Sequence, residues 1–525
     1  FPCFKLAKVL RKAPPLIAKG IAEGIQDAPL FEKVEQVNAY VNMFISKEEF
    51  VKDVVEDVLQ KEGEYGKTNI GGGIPVIVEF SSPNIAKPFH IGHIRSTVIG
   101  NSIYKIYDAM GYKVTRINHL GDYGTQFGKM IVAYRRWGNE EDVKREPIKT
   151  LLHYYTKFHV EAEKDPTLED EARATFTRLE HGEPEETKLW QWFRDESLKE
   201  FTRVYDMLGI SYDSYAGESF YSDKMPAIVE ELKKKNLLVE SKGAMIVDLE
   251  PYGLTPAPIL KSDGSTLYPA RDIAAAVYRK RTYDFDKCIY VTSAGQSLHF
   301  AQWFKVVELM GYDFADKLIH VPYGTVSIGG EKLATRTGNV ILLRDLFAAA
   351  TEKCRGIIAE KNPTLEAKDE TAEAVGIGAV IFYYLFGNRM RDINFIMDDA
   401  LDFNGNTGPY AQYTYARTNS ILEKAGGFAV QTEVALLDPT ERELIKTLAQ
   451  FPEKTAAAIA DMEPSVVTRY IIDICNTFNR FYQECPIASC ADKDRRAFRL
   501  TLTRGVHDIL GRALELICMK HPDKI

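Results

Sequence analysis

The feature that most constrains this chain is a short β-branched run, Val76-Ile77-Val78, followed by a loop and then by a helical stripe of Ile94, Val98, Ile103, Ile106 and Met110 that stops at Gly111. Val114 to Asn118 reads as a second strand. A buried strand, a crossover helix and a parallel strand form a βαβ unit, the building block of a doubly wound sheet. Such sheets bind ligands at the carboxyl ends of their strands. That rule puts the loop Glu79-Phe80-Ser81-Ser82-Pro83-Asn84-Ile85-Ala86-Lys87-Pro88-Phe89-His90-Ile91-Gly92-His93 at the mouth of the fold's natural cleft.

This loop opens a helix, where free backbone N–H groups and the helix dipole favour an anion such as a triphosphate. His90 and His93 lie one turn apart and can both reach that anion, while Gly92 removes a side chain that would block a stacked adenine. As a bare string His-x-Gly-His is short. Its place directly after a buried strand gives it weight, and the alternative of two capping histidines leaves the unbroken Ser82-Pro83-Asn84 run unexplained.

At 525 residues the chain is too long for one compact core. Residues 1–70 form a first α+β domain, with helical periodicity at Leu6, Val9, Leu10 and Ile17, a strand at Tyr40 to Ile45 and a capped helix from Ser46. The chain starts at Phe1 in mid-pattern, so this domain is expected to lack its beginning. The Gly71-Gly72-Gly73 run reads as a hinge into a Rossmann-like α/β domain at 71–345. A charged helical insertion anchored by Trp190, Trp192 and Phe193 interrupts that domain at about 129–220. The sheet is expected to resume with Met245 to Val247, Cys288 to Val291 and Ile319 to Val321. Residues 346–525 carry helical stripes from Leu437, Val466 and Leu500 onward and read as an all-α bundle.

Composition excludes several classes. Hydrophobic residues at 45% and charged residues at 27% describe an ordinary globular protein. The seven cysteines show no two-residue pairing, so neither structural zinc nor a disulfide framework is expected. With no long apolar run and a lysine- and proline-bearing start, a cytoplasmic protein without membrane contact is expected. The net charge of −8 confines any nucleic-acid contact to a local basic face.

The His90 segment resembles the His-Ile-Gly-His signature of class I aminoacyl-tRNA synthetases, in the surroundings found in the arginyl-tRNA synthetase family. Three further blocks agree in order. They are Asn118-His119-Leu120-Gly121-Asp122-Tyr123-Gly124-Thr125-Gln126-Phe127-Gly128, Tyr268-Pro269-Ala270-Arg271-Asp272-Ile273-Ala274-Ala275-Ala276 and Gly408-Pro409-Tyr410-Ala411-Gln412-Tyr413-Thr414-Tyr415-Ala416-Arg417. The resemblance implies an arginine-tRNA ligase, expected as a monomer, that uses ATP with Mg²⁺, L-arginine and tRNA(Arg). The carboxylate of arginine attacks the α-phosphate of ATP, and the 2′-hydroxyl of the terminal adenosine then takes the arginyl group. The resemblance also implies that tRNA binds before the adenylate forms.

A guanidinium is best received by a planar carboxylate offering two parallel hydrogen bonds. By resemblance that receptor is Asp272, with Tyr268 one turn earlier and Glu79 adding a second negative charge. Ser82, Pro83, Asn84, His93 and Gln296 hold the α-amino and carboxylate groups. The second class I signature survives only as Lys332-Leu333-Ala334-Thr335-Arg336-Thr337-Gly338-Asn339. Lys332 and Arg336 remain to neutralise charge on the leaving pyrophosphate, and Lys87 is expected to supply what the altered loop lacks. Tyr410, Tyr413 and Arg417 share one helical face that can stack on unpaired anticodon bases, and Asn42 and Phe44 resemble the part that reads the tRNA D-loop.

Two other readings remain open at this level. Another class I synthetase or a small nucleotidylyltransferase shares the His-x-Gly-His chemistry, and the charges of Asp272 and Glu79 distinguish them. A catalytically silent paralogue that only binds tRNA would accommodate the altered second loop but not the intact His90, His93 and Asp272.

Overall fold

The computed structural model describes residues 1–61, 64–262, 264–328, 331–332, 341–434 and 436–525, with backbone alone at 47, 48, 331 and 332. A helix, Pro14–Ile25, packs on an antiparallel hairpin of β1 (Phe31–Val37) and β2 (Tyr40–Ile45). Cys3, Ile17, Ala18, Ala22 and Val41 form the small core between them. The hairpin turns at Asn38, whose φ of 53° suits the left-handed conformation of a two-residue turn. Ser46 Oγ then accepts the backbone N–H of Glu49 at 3.4 Å and starts the helix Lys47–Gln60. Val51, Val55 and Val58 of that helix join the main core of the molecule.

The Gly71-Gly72-Gly73 run is a bonded turn and not an open hinge. Gly71 N–H donates to Met110 O at 2.9 Å and Gly73 N–H to Gly111 O at 2.8 Å. A Cβ on Gly71 would stand 2.5 Å from the Tyr112 ring. This turn delivers the chain into β3 (Pro75–Glu79), and β4 (Lys113–Ile117) pairs parallel to it.

Next comes an antiparallel sheet of β5 (Leu238–Ser241), β6 (Ala244–Val247) and β7 (Ala257–Leu260). Met245 to Val247 therefore does not resume the parallel sheet. Only Val247 of β6 is buried, as befits a small side sheet, and a three-residue apolar run does not reveal which sheet it joins. The main sheet resumes with β8 (Lys287–Ser293) and β9 (Leu318–Tyr323). Its order is β4-β3-β8-β9, all parallel, so the strand order reverses beside β3 and opens a ligand crevice there. A last small sheet pairs β10 (Val326–Ile328) antiparallel with β11 (Glu331–Lys332) and parallel with β12 (Ile393–Phe395).

The insertion is helical as expected, from Thr125–Trp137 through Pro184–Leu208, with a core that includes Ile131, Leu151, Phe158 and Phe193. Trp190 Nε1 donates to Asp122 O at 2.9 Å, tying it to the loop after β4. After β9 the chain is mostly helical and ends in Ser465–Glu484 and Lys493–Leu516.

The helix after the first signature, Ile94–Ala109, is buried nearly all round instead of along one stripe. The sheet covers one side and the C-terminal helices the other. Its polar residues are therefore matched: Ser96 Oγ donates to Val291 O at 2.7 Å, Ser102 Oγ to Leu516 O at 2.9 Å, and Asn101 Nδ2 to Cys518 Sγ at 2.9 Å. Gly100 lets this helix meet the strand end, because a Cβ there would lie 2.1 Å from Phe80 Cβ.

Candidate active site at the strand ends

The loop leaving β3 is held in strained backbone. Ser81, Ser82 and Ala86 have φ of 69°, 46° and 58°, a region that costs an L-residue of order ~1–3 kcal/mol. Side-chain bonds hold it there. Ser81 N–H donates to Ser96 Oγ at 2.9 Å, Ser81 Oγ lies 2.8 Å from Tyr205 OH, and Ala86 N–H donates to Ser197 Oγ at 2.9 Å. The loop after β4 zips onto it: Gly121 N–H donates to Pro83 O at 3.0 Å, Ile85 N–H to Gly121 O at 3.2 Å, and His119 N–H to Ser82 Oγ at 3.2 Å. A Cβ on Gly121 would come within 2.1 Å of Asn84 Oδ1, so glycine is what lets the two loops touch. Ser82, Pro83 and Asn84 thus sit where the crevice opens, with the Asn84 side chain exposed.

His90 and His93 cap their own helix. His90 Nδ1 accepts Gly92 N–H at 3.0 Å, His93 Nδ1 accepts His90 N–H at 3.2 Å, and the two rings lie 4.1 Å apart. With its Nδ1 accepting, the neutral His90 ring carries its proton on Nε2, while His93 Nδ1 lies 3.2 Å from both the N–H and the carbonyl oxygen of His90. Burial pushes His90 down to about 4 and, with the His90 ring beside it, His93 down to about 3, so both are uncharged at neutral pH. The two rings form a reciprocal cap on the helix start. Lys87 is exposed just before them.

The stretch beyond the second signature closes on the same histidines: Ile91 N–H donates to Ile341 O at 3.2 Å and Leu343 N–H to Phe89 O at 3.0 Å. Lys332 is placed by its backbone at the end of β11, and Arg336 lies outside the described residues.

One helix, Tyr268–Tyr283, carries Tyr268, Arg271, Asp272 and Arg279, of which the two arginines are buried. Tyr268 is exposed and Asp272 half-buried. Asp272 Oδ2 lies 2.6 Å from His299 Nε2. His299 stands on the helix Ser297–Leu309, whose N-cap is the exposed Gln296. Arg271 pairs with Glu218 at 3.0 Å and lies over the Tyr123 ring, 4.6 Å from its centre. Arg279 is fully buried against Glu79, Nη1 to Oε2 2.5 Å, with its Nη2 3.3 Å from His119 Nδ1.

That last pair corrects one expectation. Glu79 does not stand as a free second negative charge, because Arg279 compensates it inside the protein. Neither Arg279 nor His299 was singled out from sequence: Arg279 is two turns past Asp272 and His299 three residues past Gln296, but only the fold brings them to Glu79 and Asp272.

In the bundle, Tyr410, Tyr413 and Arg417 do come together on the helix Gly408–Ala425. Arg417 Nη1 donates to Asn479 Oδ1 at 2.6 Å, Asn479 Nδ2 donates to Tyr410 OH at 2.9 Å, and Arg417 lies 5.0 Å from the Tyr413 ring centre. Tyr413 and Arg417, though not Tyr410, border an open groove of about 760 Å³ that Tyr482, Lys424, Arg496 and Lys524 also line. Asn479 and Tyr482 went unnoticed in the sequence because the apolar stripe of Ser465–Glu484 masks its polar face. Asn42 and the exposed Phe44 lie far along the chain on β2, where Lys33 covers the Phe44 ring.

Comparison with known proteins bears on this arrangement. Residues 54–397 match the family of class I tRNA synthetases (R), catalytic domain; residues 411–525 match the DALR anticodon binding domain, and residues 1–45 the arginyl tRNA synthetase N terminal domain. An arginine–tRNA ligase of Alkaliphilus metalliredigens is 49% identical over 100% of this chain and 93% of its own length. One from Clostridioides difficile is 51% identical over the same shares. The arginyl-tRNA synthetase structure from Thermus thermophilus superposes with a TM-score of 0.84 at 25% identity, covering 100% of this chain and 94% of that one. With its crevice at the strand reversal, its paired histidines and these matches along its whole length, the chain belongs to the class I arginyl-tRNA synthetase family.

Proposed function

We propose that the crevice ligates arginine to tRNA(Arg) with the residues described above. ATP lies along the first signature, where the Nε2–H of His90, the His93 ring and the backbone N–H groups of the helix start meet its phosphates. Uncharged donors suit this work, since they stabilise developing negative charge without being locked into an ion pair beforehand. Lys87, Lys332 and Arg336 supply positive charge toward the β- and γ-phosphates. Magnesium travels with the triphosphate as part of the substrate. Among the described residues no three His, Cys, Asp or Glu side chains are grouped to hold an ion of their own.

Arginine enters with its guanidinium on Asp272 and Tyr268 and its α-amino and carboxylate groups toward Ser82, Pro83, Asn84, His93 and Gln296. Its carboxylate attacks the α-phosphorus in line, pyrophosphate leaves, and the 2′-hydroxyl of the terminal adenosine then displaces AMP from the adenylate. Positioning and charge stabilisation suffice, with no covalent enzyme intermediate. Anticodon bases stack in the bundle groove on Tyr410, Tyr413 and Arg417, and β2 meets the D-loop through Asn42 and Phe44.

The observation that carries this reading is the state of Asp272. Among the described residues its only ion-pair partner is a histidine, which leaves an acid at the crevice able to take a guanidinium. ATP–pyrophosphate exchange with tRNA present tests it. Arginine supports exchange and glutamine or cysteine does not; equal exchange with either would overturn the assignment.

A further inference from the structure

Glu79, Glu218, Asp122 and Asp272 stand around the carboxyl ends of β3, β4 and β8, and their partners differ in one respect. Glu79 has Arg279 at 2.5 Å, Glu218 has Arg271 at 3.0 Å, and Asp122 has Arg194 at 3.3 Å. Asp272 has His299 at 2.6 Å. A guanidinium keeps its charge at every physiological pH, so the first three carboxylates are permanently compensated. An imidazole can hydrogen-bond a carboxylate without bringing a charge.

We propose that His299 is a positioning residue for the amino-acid substrate: its Nε2–H donates to Asp272 Oδ2, fixes the carboxylate in one orientation, and leaves Oδ1 to the incoming guanidinium. The inference rests on the reading of Asp272 as the guanidinium receptor.

Three features of the structure support it. His299 lies in the first turn of the helix that Gln296 caps, so one element holds both the α-amino end of the site and the acid at its side-chain end. The His299 and Asp272 side chains are 30% and 27% exposed, against 0% and 8% for Arg279 and Glu79, so a small molecule can reach this pair but not the other. The His299 ring is also braced: it meets Phe300 edge-on at 5.8 Å, and Phe300 stacks on His320 at 4.3 Å, whose Nε2 lies 2.8 Å from Thr292 Oγ1 on β8. A permanent cation at position 299 would put Asp272 in the same compensated state as its three neighbours and close the site to arginine without disturbing the core.

The test measures L-arginine binding to the full chain by calorimetry, together with KM and kcat for ATP–pyrophosphate exchange in the presence of tRNA. His299→Ala raises the arginine Kd and KM about 10-fold, the worth of one hydrogen bond to a charged group, with kcat and the KM for ATP held within about 2-fold. His299→Gln, whose amide N–H can stand near the place of Nε2, recovers most of that loss. His299→Lys raises the arginine Kd by about 100-fold or more, since it sets an ammonium against the substrate's own charge. Equal effects of Ala and Lys, or losses confined to kcat, would overturn the role and leave His299 as packing. Asp272→Ala separates the two claims. If it weakens arginine binding while His299→Lys does not, only the inference about His299 fails. If Asp272→Ala has no effect, the reading of Asp272 itself fails.

Discussion

The strand-end crevice and the bundle groove both hold arginine side chains against aromatic rings, but they hold them differently. In the crevice, Arg279 is fully buried, paired with Glu79, and its guanidinium lies 5.8 and 5.6 Å from the ring centres of Tyr221 and Tyr290. In the groove, Arg417 rests on Tyr413, itself 41% exposed, and is tethered by the neutral amide of Asn479. The first arrangement is fixed before any ligand arrives, which suits a small charged substrate that must be set at a reacting phosphorus to within a fraction of an ångström. The second leaves a cation and a ring face open, which suits a nucleobase whose edges and angle vary. On the proposed reading, preorganisation is concentrated where bonds are made, and adaptability where RNA is gripped.

Breaking the buried side of this contrast has the largest expected effect. Arg279→Met leaves Glu79 buried with an unmatched charge, a loss of about 3–5 kcal/mol in unfolding free energy by denaturant titration. The double variant with Glu79→Gln should regain most of it. No regain would mean that Arg279 acts through packing and not as the counter-ion of Glu79. Asp272→Ala comes next: it removes the proposed guanidinium receptor at about 2–5 kcal/mol, seen as a rise in arginine KM of roughly 30-fold or more with ATP binding spared. An arginine KM that stays near the parent value would count against the crevice as the amino-acid site.

Much of this was legible in the chain, and the reasons for the remainder are physical. The parallel strands at Val76, Val114, Cys288 and Ile319 announce themselves because both faces of a parallel sheet are covered and each strand becomes a short apolar block. Met245 to Val247 shows the same block for a different cause, a side sheet with one covered face, and no local pattern separates the two. His90, His93 and Asp272 are visible by spacing and resemblance. Their partners are not, because Glu79 meets Arg279 and Asp272 meets His299 across 200 and 27 positions of chain, and pairing of that kind is created only by the fold. The amphipathic expectation for Ile94–Ala109 fails for a related reason: a polar residue such as Ser102 or Asn101 is buried when another domain supplies its acceptor.

The paired histidines are expected to have an effect of intermediate size. His93→Ala removes a ring proposed to meet the phosphates, a loss of about 100-fold in single-turnover adenylate formation. An unchanged rate would remove His93 from the site. Their titration gives an independent check. An unfolded histidine titrates near 6.5, whereas burial holds His90 at about 4 and His93 at about 3, so the folded protein binds fewer protons between these values. Their contribution to stability is complete above pH 6.5 and is lost progressively as pH falls toward 4 and 3. Replacing His90 with Gln should flatten that decline in denaturant titrations between pH 7.5 and 5, and an unaltered slope would place the pH sensitivity elsewhere.

The smallest expected effect lies in the groove, and it decides whether that surface is adaptable in the sense argued above. Base stacking on an aromatic ring contributes about 1–3 kcal/mol, and a half-exposed ring with a second cation and ring nearby should fall at the lower end. Tyr413→Ala is therefore expected to raise the KM for tRNA in aminoacylation by about 10-fold, while arginine KM and pyrophosphate exchange at saturating tRNA stay near the parent values. Tyr413→Phe should behave as the parent, because stacking needs the ring and not the hydroxyl. Tyr410 differs: its hydroxyl is engaged with Asn476 and Asn479, so Tyr410→Phe should cost more than Tyr413→Phe. If both phenylalanine variants matched the parent, the amide network around Asn479 would carry no load in tRNA binding, and the groove would be a simple stacking platform.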